Sequence, residues 1–203
     1  MSKPRLIIIG VSGHGRVAMD IAELNGYEDI VFLDDNTEEK EVAGYPVLGT
    51  SAMAAELEGE IFVAIGNCAA RQDVMEKLHG RDFPILIHPR ATIARSVKVG
   101  EGSIFMAGSV VNPFSVIGRG CIVNTGATVG HDCIVHDYAH CSSGSHIAGT
   151  TTIGTRTWVG IGTNISNNIN ICGDCMIGAG SVIVKDITEP GTYVGVPARR
   201  LDV

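Results

Sequence analysis

The chain has 203 residues, of which 45% are hydrophobic, and a formal net charge of −7 at pH 7. This acidic balance argues against nucleic acid or an anionic membrane surface as the main partner, because no stripe of Lys and Arg is present to neutralise phosphates. No signal peptide or long apolar span precedes the first predicted strand, so membrane insertion is not expected.

The six cysteines lie far apart except for Cys172 and Cys175, which favours a reducing cytoplasm as the compartment. The Cys172-x-x-Cys175 spacing matches half of a zinc site, but no second pair accompanies it. The sequence therefore predicts buried, unpaired thiols at these positions.

A short apolar strand from Arg5 to Ile9 runs into a glycine-rich turn, and an amphipathic helix follows. Backbone N–H groups of such a turn, together with the helix N-terminus, suit a phosphate. The spacing G-x-x-G-x-G departs from the dinucleotide fingerprint G-x-G-x-x-G, and a purely structural turn is the alternative. The candidate binding residues of the turn are Gly10, Ser12, Gly13 and His14.

Two later predicted strands end in polar residues. The strand 30–33 is followed by Asp34 and Asp35, about 20 residues after the glycine turn, where a carboxylate can meet a ribose or a base. The strand 61–65 is followed by Gly66 and Asn67. Strands alternating with helices predict a small parallel sheet, half of a doubly wound domain, with a mononucleotide group beyond the carboxyl ends of its strands. Adjacent aspartates also begin solvated turns, which is the alternative for Asp34 and Asp35.

The second half of the chain carries an uninterrupted repeat in which every sixth residue is apolar. The sixteen positions are Ile93, Val99, Phe105, Val111, Ile117, Val123, Val129, Val135, Cys141, Ile147, Ile153, Val159, Ile165, Ile171, Ile177 and Ile183. A small side chain stands four residues after most of them. This hexapeptide repeat predicts a parallel β-helix with three six-residue sides, in which each residue stacks on the one eighteen later.

These patterns predict two domains and a tail. We expect an α/β domain at 1–87 with a small parallel, half Rossmann-like sheet, a β-helix at 88–185 that begins at the hinge His88-Pro89, and a C-terminal tail at 186–203. The fold class is therefore α/β followed by all-β.

Four histidines fall in predicted outward positions of the helix: His131, His136, His140 and His146. The eighteen-residue stacking puts Gly149 over His131, which is expected to leave space beside the imidazole and to direct a backbone N–H to the same place. A neutral histidine serves as a general base, and an N–H group stabilises an oxyanion. The alternatives are a zinc site of the β-helical carbonic anhydrase type and solvated histidines on an inert, nucleotide-binding scaffold.

The chain resembles the two-domain sugar acyltransferases with a left-handed β-helix, which include nucleotide-activated amino-sugar N-acetyltransferases of the bacillosamine and perosamine types and sialic acid O-acetyltransferases. The resemblance covers essentially the whole chain. It is carried by the motifs Gly10 to Gly15, Asp34-Asp35, Ala64 to Asn67, His88-Pro89, Asn124-Thr125, Gly130 to Cys133 and Val194 to Ala198.

This resemblance implies a homotrimer that uses acetyl-CoA, without a metal, to acetylate a nucleotide-activated amino sugar. It implies that His131 is the general base with Asp132 as its acidic partner, although close relatives often carry Glu there. His140 and the Gly149 N–H would lie near the thioester, and Asn124 would bind the sugar. The residues implied for acetyl-CoA are Gly162, Gly180, Lys185, Pro197 and Ala198.

The leading hypothesis is direct acetyl transfer to the amine of a 4-amino-4,6-dideoxy nucleotide sugar. O-acetylation of a sugar hydroxyl is the alternative within the same family. The sequence leaves the nucleobase, the sugar and the acyl length open.

Overall fold

The computed structural model describes residues 3–201. The N-terminal half contains β1 (Leu6–Ile9), α1 (Gly13–Leu24), β2 (Ile30–Leu33), β3 (Glu41–Val42), β4 (Tyr45–Gly49), the 3₁₀ helix η1 (Ser51–Ala55), β5 (Glu60–Val63) and α2 (Cys68–Lys77). The strands form one sheet in the order β3-β4-β2-β1-β5, in which β1 pairs in parallel with both β2 and β5. The apolar strands β1 and β2 are buried along their whole length, as expected for parallel strands covered on both faces.

The second half is a parallel β-helix of short strands. These are β6 (Leu86–Ile87), β7 (Thr92–Ile93), β8 (Lys98–Val99), β9 (Ile104–Phe105), β10 (Val110–Val111), β11 (Val116–Ile117), β12 (Ile122–Val123), β13 (Thr128–Val129), β14 (Ile134–Val135), β15 (His140–Cys141), β16 (His146–Ile147), β17 (Thr152–Ile153), β18 (Trp158–Val159), β19 (Asn164–Ile165), β20 (Asn170–Ile171), β21 (Cys175–Ile177) and β22 (Val182–Ile183). The hairpin β23 (Gly191–Gly195) and β24 (Ala198–Arg200) follows.

The strands stack into three faces. The first face carries β6, β9, β12, β15, β18 and β21, the second carries β7 and every third strand after it to β22, and the third carries β8 and every third strand after it to β20. Neighbouring strands of a face are eighteen residues apart, as in the pairing of Ile122 with His140. The predicted three-sided repeat and the predicted fold class are confirmed.

Three corners join the faces, and each is a ladder of two-residue turns. We call the turn between the first and second faces the glycine corner (107–108, 125–126, 143–144, 161–162 and 179–180). The turn between the second and third faces is the histidine corner (113–114, 131–132, 149–150 and 167–168). The third corner (101–102, 119–120, 137–138, 155–156 and 173–174) leads back to the first face.

The core of the helix is built from the two columns of the repeat. The apolar column is buried from Phe105 onward, and small inward residues such as Ser115 and Thr157 are fully buried beside it. Ile169 is a departure, because it stands in the small-residue column and is nevertheless buried. Each buried Val or Ile contributes about 1.5–3 kcal/mol relative to an exposed one.

The α/β domain packs against the first face. Ile104, Met106 and Ile122 join the apolar cluster that contains Leu6 and Phe62 of the sheet. The predicted boundary at 87 and 88 stays a prediction; Leu86 and Ile87 already pair with β9. The C-terminal tail also lies on the first face, since β23 pairs in parallel with β21 and β24 turns back on β23.

Among the residues described, no helix combines the length and the apolarity needed to cross a membrane.

Candidate active site

His131 and Asp132 form one turn of the histidine corner, directly after β13. Asp132 adopts a φ of 56°, a left-handed conformation that Asp tolerates better than most residues. The corner is fixed from both sides, because Asp132 N–H donates to the Pro113 carbonyl at 3.1 Å and Thr150 N–H donates to the His131 carbonyl at 2.8 Å. The turn, unlike an extended strand, lets two sequence neighbours meet: His131 Nδ1 lies 2.7 Å from Asp132 Oδ2.

This contact sets the tautomer of His131. A carboxylate accepts hydrogen bonds only, so Nδ1 carries the proton and Nε2 of the neutral ring keeps a lone pair. In residues 3–201 no protein group hydrogen-bonds Nε2. The side chains are 65% and 53% exposed, so the pair stands open to a second molecule.

Gly149 lies against the His131 ring. A Cβ added at Gly149 would lie 2.6 Å from Nε2 and 2.8 Å from Cε1. The expectation that Gly149 leaves free space beside the imidazole is therefore wrong, since the ring itself occupies that space. The expected backbone donor is available, because the Gly149 N–H has no protein acceptor within the described part of the chain.

His140 lies on a different side of the helix, on strand β15 of the first face. It is 6% exposed because the α/β domain covers this face, and its ring centroid is 4.4 Å from that of Trp158. Burial first, and then the charge of Arg71 and the neighbouring His14, lower the pKa of His140 to about 3.

Asn124 fixes the tautomer of His140. Its Oδ1 accepts from Thr125 N–H at 2.7 Å and from Ser143 Oγ at 3.1 Å, so its Nδ2 faces His140 Nε2 at 3.2 Å. His140 Nε2 is then the acceptor, and Nδ1 carries the proton. Nδ1 makes no hydrogen bond of normal geometry among the residues described, and the backbone of Gly66 lies near the ring and opposes the lowering of its pKa.

The four histidines do not form one cluster. His131 is on the histidine corner, His136 is next to the third corner, His140 is on the first face and His146 is on the second face, where its Nδ1 lies 3.0 Å from Thr128 Oγ1. His140 points out of the β-helix core, as expected, because its neighbour Cys141 faces the core, but the α/β domain buries it. The alternative of solvated histidines therefore does not hold for His140. Residues 3–201 contain no group of three or more His, Cys, Asp or Glu side chains arranged to hold a metal ion.

The glycines of the N-terminal turn have two different roles: Gly10 and Gly15 are required by close packing, whereas Gly13 has open space beside it. A Cβ at Gly10 would lie 2.8 Å from the Ala64 carbonyl oxygen, and a Cβ at Gly15 would overlap the Gly10 carbonyl. Gly13 meets nothing within 4 Å. Ser12 precedes α1 without a side-chain cap, which leaves the first N–H groups of that helix unused by a hydroxyl.

His14, in the first turn of α1, approaches the same region as His140. Its Nε2 is buried without a partner in the described structure. Burial first, and then Arg71, lower its pKa to about 4. The two domains thus bring two neutral imidazoles, His14 and His140, close enough to influence each other.

The polar residues after β2 and β5 hold local structure. Asp34 accepts the N–H groups of Val11 at 2.9 Å and Asn36 at 2.8 Å. Asp35 accepts Ser51 N–H at 2.7 Å and Ser51 Oγ at 2.8 Å, and it lines a cavity of about 380 Å³.

Asn67 behaves in the same way at α2. Its Oδ1 caps the helix by accepting Ala70 N–H at 2.9 Å. Gly66 beside it lies against Trp158, because a Cβ at Gly66 would be 4.0 Å from the indole ring.

The residues expected at acetyl-CoA lie along the glycine corner and the tail. Gly162 and Gly180 have φ values of 66° and 68° with nothing within 4 Å of an added Cβ. Lys185 and Ala198 line a cavity of about 300 Å³ together with Arg199. Pro197 lies in the turn of the β23–β24 hairpin.

The sequence profile of the PglD N-terminal domain matches residues 5–78. The acetyltransferase domain of PglB from Neisseria gonorrhoeae FA1090 is 41% identical to this chain, with a TM-score of 0.94 and a match that covers 97% of this chain and 99% of that one. The chain belongs to the family of two-domain, β-helical sugar acetyltransferases. Within this family the PglB domain has also been solved in complex with acetyl coenzyme A, at 40% identity over 98% of this chain and 100% of that one, with a TM-score of 0.94.

A second solved family member has been crystallised with CoA and with a nucleotide sugar. It is a histidine variant of perosamine N-acetyltransferase from Caulobacter crescentus in complex with CoA and GDP-perosamine, 33% identical with a TM-score of 0.92 over 98% of this chain and 97% of that one. The UDP-N-acetylbacillosamine N-acetyltransferase of Bacillus subtilis (strain 168) is 33% identical over 110 residues, which is 49% of this chain and 50% of that protein. The match thus spans about half the length of this curated relative.

Two residues beside the site were not assigned from the sequence. Trp158 follows His140 by eighteen residues, so the stacking rule of the repeat could have placed the two side by side. Arg71 contacts both domains, and its position in α2 gave no signal of this, because the repeat says nothing about where the α/β domain lies.

Proposed function

We propose that this chain is an acetyl-CoA-dependent N-acetyltransferase that acts on the amino group of a nucleotide-activated 4-amino-4,6-dideoxy sugar, with His131 as the general base. The observation that carries the proposal is the His131 ring, whose Nδ1 is bound to Asp132 at 2.7 Å while Nε2 has no protein partner in the residues described. A neutral imidazole with a fixed Nδ1–H is suited to accept a proton at Nε2. The acetyl coenzyme A bound to the PglB domain supports the acetyl donor, and the GDP-perosamine bound to perosamine N-acetyltransferase supports the acceptor class.

The proposed step is a direct transfer. The sugar amine attacks the thioester carbonyl, forming the C–N bond and a tetrahedral oxyanion, and the amine proton passes to His131 Nε2. The C–S bond then breaks, and the departing thiolate of CoA takes up that proton. The free Gly149 N–H is proposed to stabilise the oxyanion.

An acyl-enzyme is not needed in this scheme. The cysteine nearest in sequence to His131 is Cys133, which is 0% exposed and contacts the Ala148 carbonyl through its Sγ at 3.2 Å. Burial raises the pKa of its thiol, so it is a poor nucleophile.

We assign acetyl-CoA to the glycine corner. The φ near +60° that Gly162 and Gly180 adopt is also adopted by Asp132 and Thr150 on the histidine corner, so the backbone alone does not require glycine. Because Gly162 and Gly180 carry no side chain and have open space beside them, a ligand can approach the main chain there. Lys185 at the tail cavity supplies a positive charge for the phosphates of CoA, and Pro197 and Ala198 are proposed to pack near its adenine.

The nucleotide sugar is assigned to the α/β domain and to Asn124. The contact of Asn124 with His140 at 3.2 Å would put the sugar next to the residue proposed to lie near the thioester. Gly13 and the first N–H groups of α1 suit a phosphate. Since Asp34, Asp35 and Asn67 already hold loops and a helix cap, we propose that they act on the nucleotide through the loops they shape.

The assembly proposed is a homotrimer. His131 stands on the histidine corner and His140 on the first face of the same chain, so a single chain presents these two proposed parts of the site on different sides of its β-helix. A neighbouring copy would supply the missing part.

A reducing cytoplasm is proposed because all six cysteines are unpaired, with Cys172 Sγ and Cys175 Sγ 3.4 Å apart.

The test is consumption of acetyl-CoA against a panel of UDP-, dTDP- and GDP-linked 4-amino sugars, each paired with its 4-hydroxy analogue. N-acetylation predicts turnover with an amino sugar and none with the hydroxy analogue. Turnover of the hydroxy compounds would instead favour O-acetylation, the second candidate within the family. Thermal stabilisation by nucleotide sugars without stabilisation by acetyl-CoA would contradict the transferase and favour a binding scaffold.

A further inference from the structure

Arg71 lies in α2 between the two domains and is 1% exposed. Its guanidinium donates to four main-chain carbonyls: Nη1 to Ile65 at 2.7 Å and Gly66 at 3.0 Å, Nε to Gly120 at 2.7 Å, and Nη2 to Tyr138 at 2.6 Å. The first two carbonyls belong to the segment after β5, and the other two belong to the third corner of the β-helix. One planar fork therefore joins the α/β domain to the β-helix.

The charge of this fork is not matched by an acid. No carboxylate in residues 3–201 forms an ion pair with Arg71. Burying a cation without a partner costs free energy, and apolar side chains of similar size hold domains together as well or better. A domain contact alone does not require a charge at this position.

The two segments whose carbonyls accept hydrogen bonds from Arg71 both border His140. Tyr138 stands two residues before His140, where the chain enters β15. Gly66 lies against Trp158, and the Trp158 ring stands 4.4 Å from the His140 ring. The fork thus sets the spacing between the two sides of the niche that holds the imidazole.

The groups around the fork define its electrostatic effect. The titratable groups that interact with the fork are His14, Cys68, Cys121, Tyr138 and His140, and Asp174 acts on Cys68. Burial raises the pKa of the Cys68 and Cys121 thiols, which are therefore neutral. Two imidazoles thus face a fixed positive charge, and each has a buried nitrogen without a partner in the described structure: His14 Nε2 and His140 Nδ1.

We propose that Arg71 is a positioning residue for the acceptor site, whose fork and fixed charge keep His14 and His140 in place as uncharged hydrogen-bonding groups for the sugar. The inference rests on the proposed function for the identity of the ligand. The state of the two imidazoles is measurable without any substrate.

The experiment compares Arg71→Lys, which keeps the charge and loses the fork, with Arg71→Met, which loses both. The matched control is Arg156→Met. Arg156 also bridges the domains, since it donates to Gln72 of α2 at 2.7 Å and to Asp174 of its own corner at 2.6 Å, but it is partly exposed. The full chain is labelled with ¹⁵N-histidine, and the imidazole signals are followed against pH, together with the KM and kcat for the amino sugar.

We expect Arg71→Met to shift the titration of His14 and His140 to higher pH and to raise the KM for the amino sugar about 10- to 100-fold. Arg71→Lys should raise the KM while leaving both titrations near those of the wild type. Arg156→Met should change neither. If Arg71→Met leaves both titrations unchanged, or if Arg156→Met raises the KM as much, the proposal is wrong.

The ligand-free titration separates this inference from the proposed function. If no sugar is acetylated but the imidazoles titrate as expected, the proposed function fails and the electrostatic role of Arg71 stands. If Arg71→Met does not fold, Arg71→Lys still decides: protonation of His14 and His140 at neutral pH in that variant contradicts the role of the charge.

Discussion

The imidazole of His131 fills the space that a side chain at Gly149 would need, with Nε2 2.6 Å from the position of a Cβ. Gly149 is not among the residues with a positive φ, so alanine is compatible with its backbone. The three atoms nearest to a methyl group at that position all belong to the ring of the proposed base.

Replacing Gly149 with Ala should therefore displace His131 without unfolding the coil. We expect kcat to fall about a hundredfold, since a displacement of about 1 Å costs that much in a positioned reaction. The melting temperature should change little. Asn167→Ala, one coil further along the same corner and exposed, is the matched control and should keep wild-type activity. Unchanged turnover in Gly149→Ala would show that the ring position is not important.

Asp132 should be needed for its charge and its acceptor atom. Asp132→Asn keeps the shape but lets an amide face His131 Nδ1, which no longer favours the Nδ1–H tautomer. We expect kcat to fall about 10- to 100-fold at neutral pH. Asp132→Glu retains a carboxylate within reach of the ring and should keep most of the activity. Equal losses in the Asn and Glu variants would indicate that packing rather than tautomer control is at stake.

The protein should become less stable as the pH is lowered, because of the two buried histidines. Burial lowers the pKa of His140 to about 3 and that of His14 to about 4, from the ordinary histidine value of 6.5. As the pH falls below about 6.5 the unfolded chain takes up protons first, so the free energy of unfolding decreases by up to about 1.4 kcal/mol per pH unit for each histidine. Above pH 6.5 the two groups contribute no slope, and below their folded-state pKa values the slope disappears again.

Urea unfolding between pH 7.5 and about 4.5 measures this slope. The hydrogen-bonded ion pair with Arg156 lowers the pKa of the Asp174 carboxyl, which moves its titration further from this pH range. His140→Asn should reduce the slope by about half, whereas His136→Asn, at an exposed position, should leave it unchanged. A wild-type slope in His140→Asn would contradict the burial of a neutral His140.

The sequence predicted the parts of the structure that follow from the repeat. The six-residue period defined the coils and placed Gly149 beside His131, because stacking at eighteen residues follows from three equal sides. It did not predict that the ring would fill the space at Gly149, since side-chain direction depends on the left-handed turn at Asp132.

The parts that were missed depend on the other domain. His140 is buried because the α/β domain covers the first face, and no periodic pattern encodes which face is covered. Asp35 and Asn67 were expected at the nucleotide, and the structure uses their side chains to hold Ser51 and the first turn of α2. Polar residues after parallel strands mark the right edge of the sheet, but the same residue types also cap helices, and only tertiary contacts separate the two uses.

The most direct test of the account is single-turnover acetyl transfer by His131→Ala, with the affinity for acetyl-CoA measured in parallel by calorimetry. Because Nε2 is proposed to accept the proton of the attacking amine, we predict a transfer rate lower by about two to four orders of magnitude and a nearly unchanged Kd for acetyl-CoA. A variant that transfers acetyl at close to the wild-type rate would contradict the assignment of His131 as the general base.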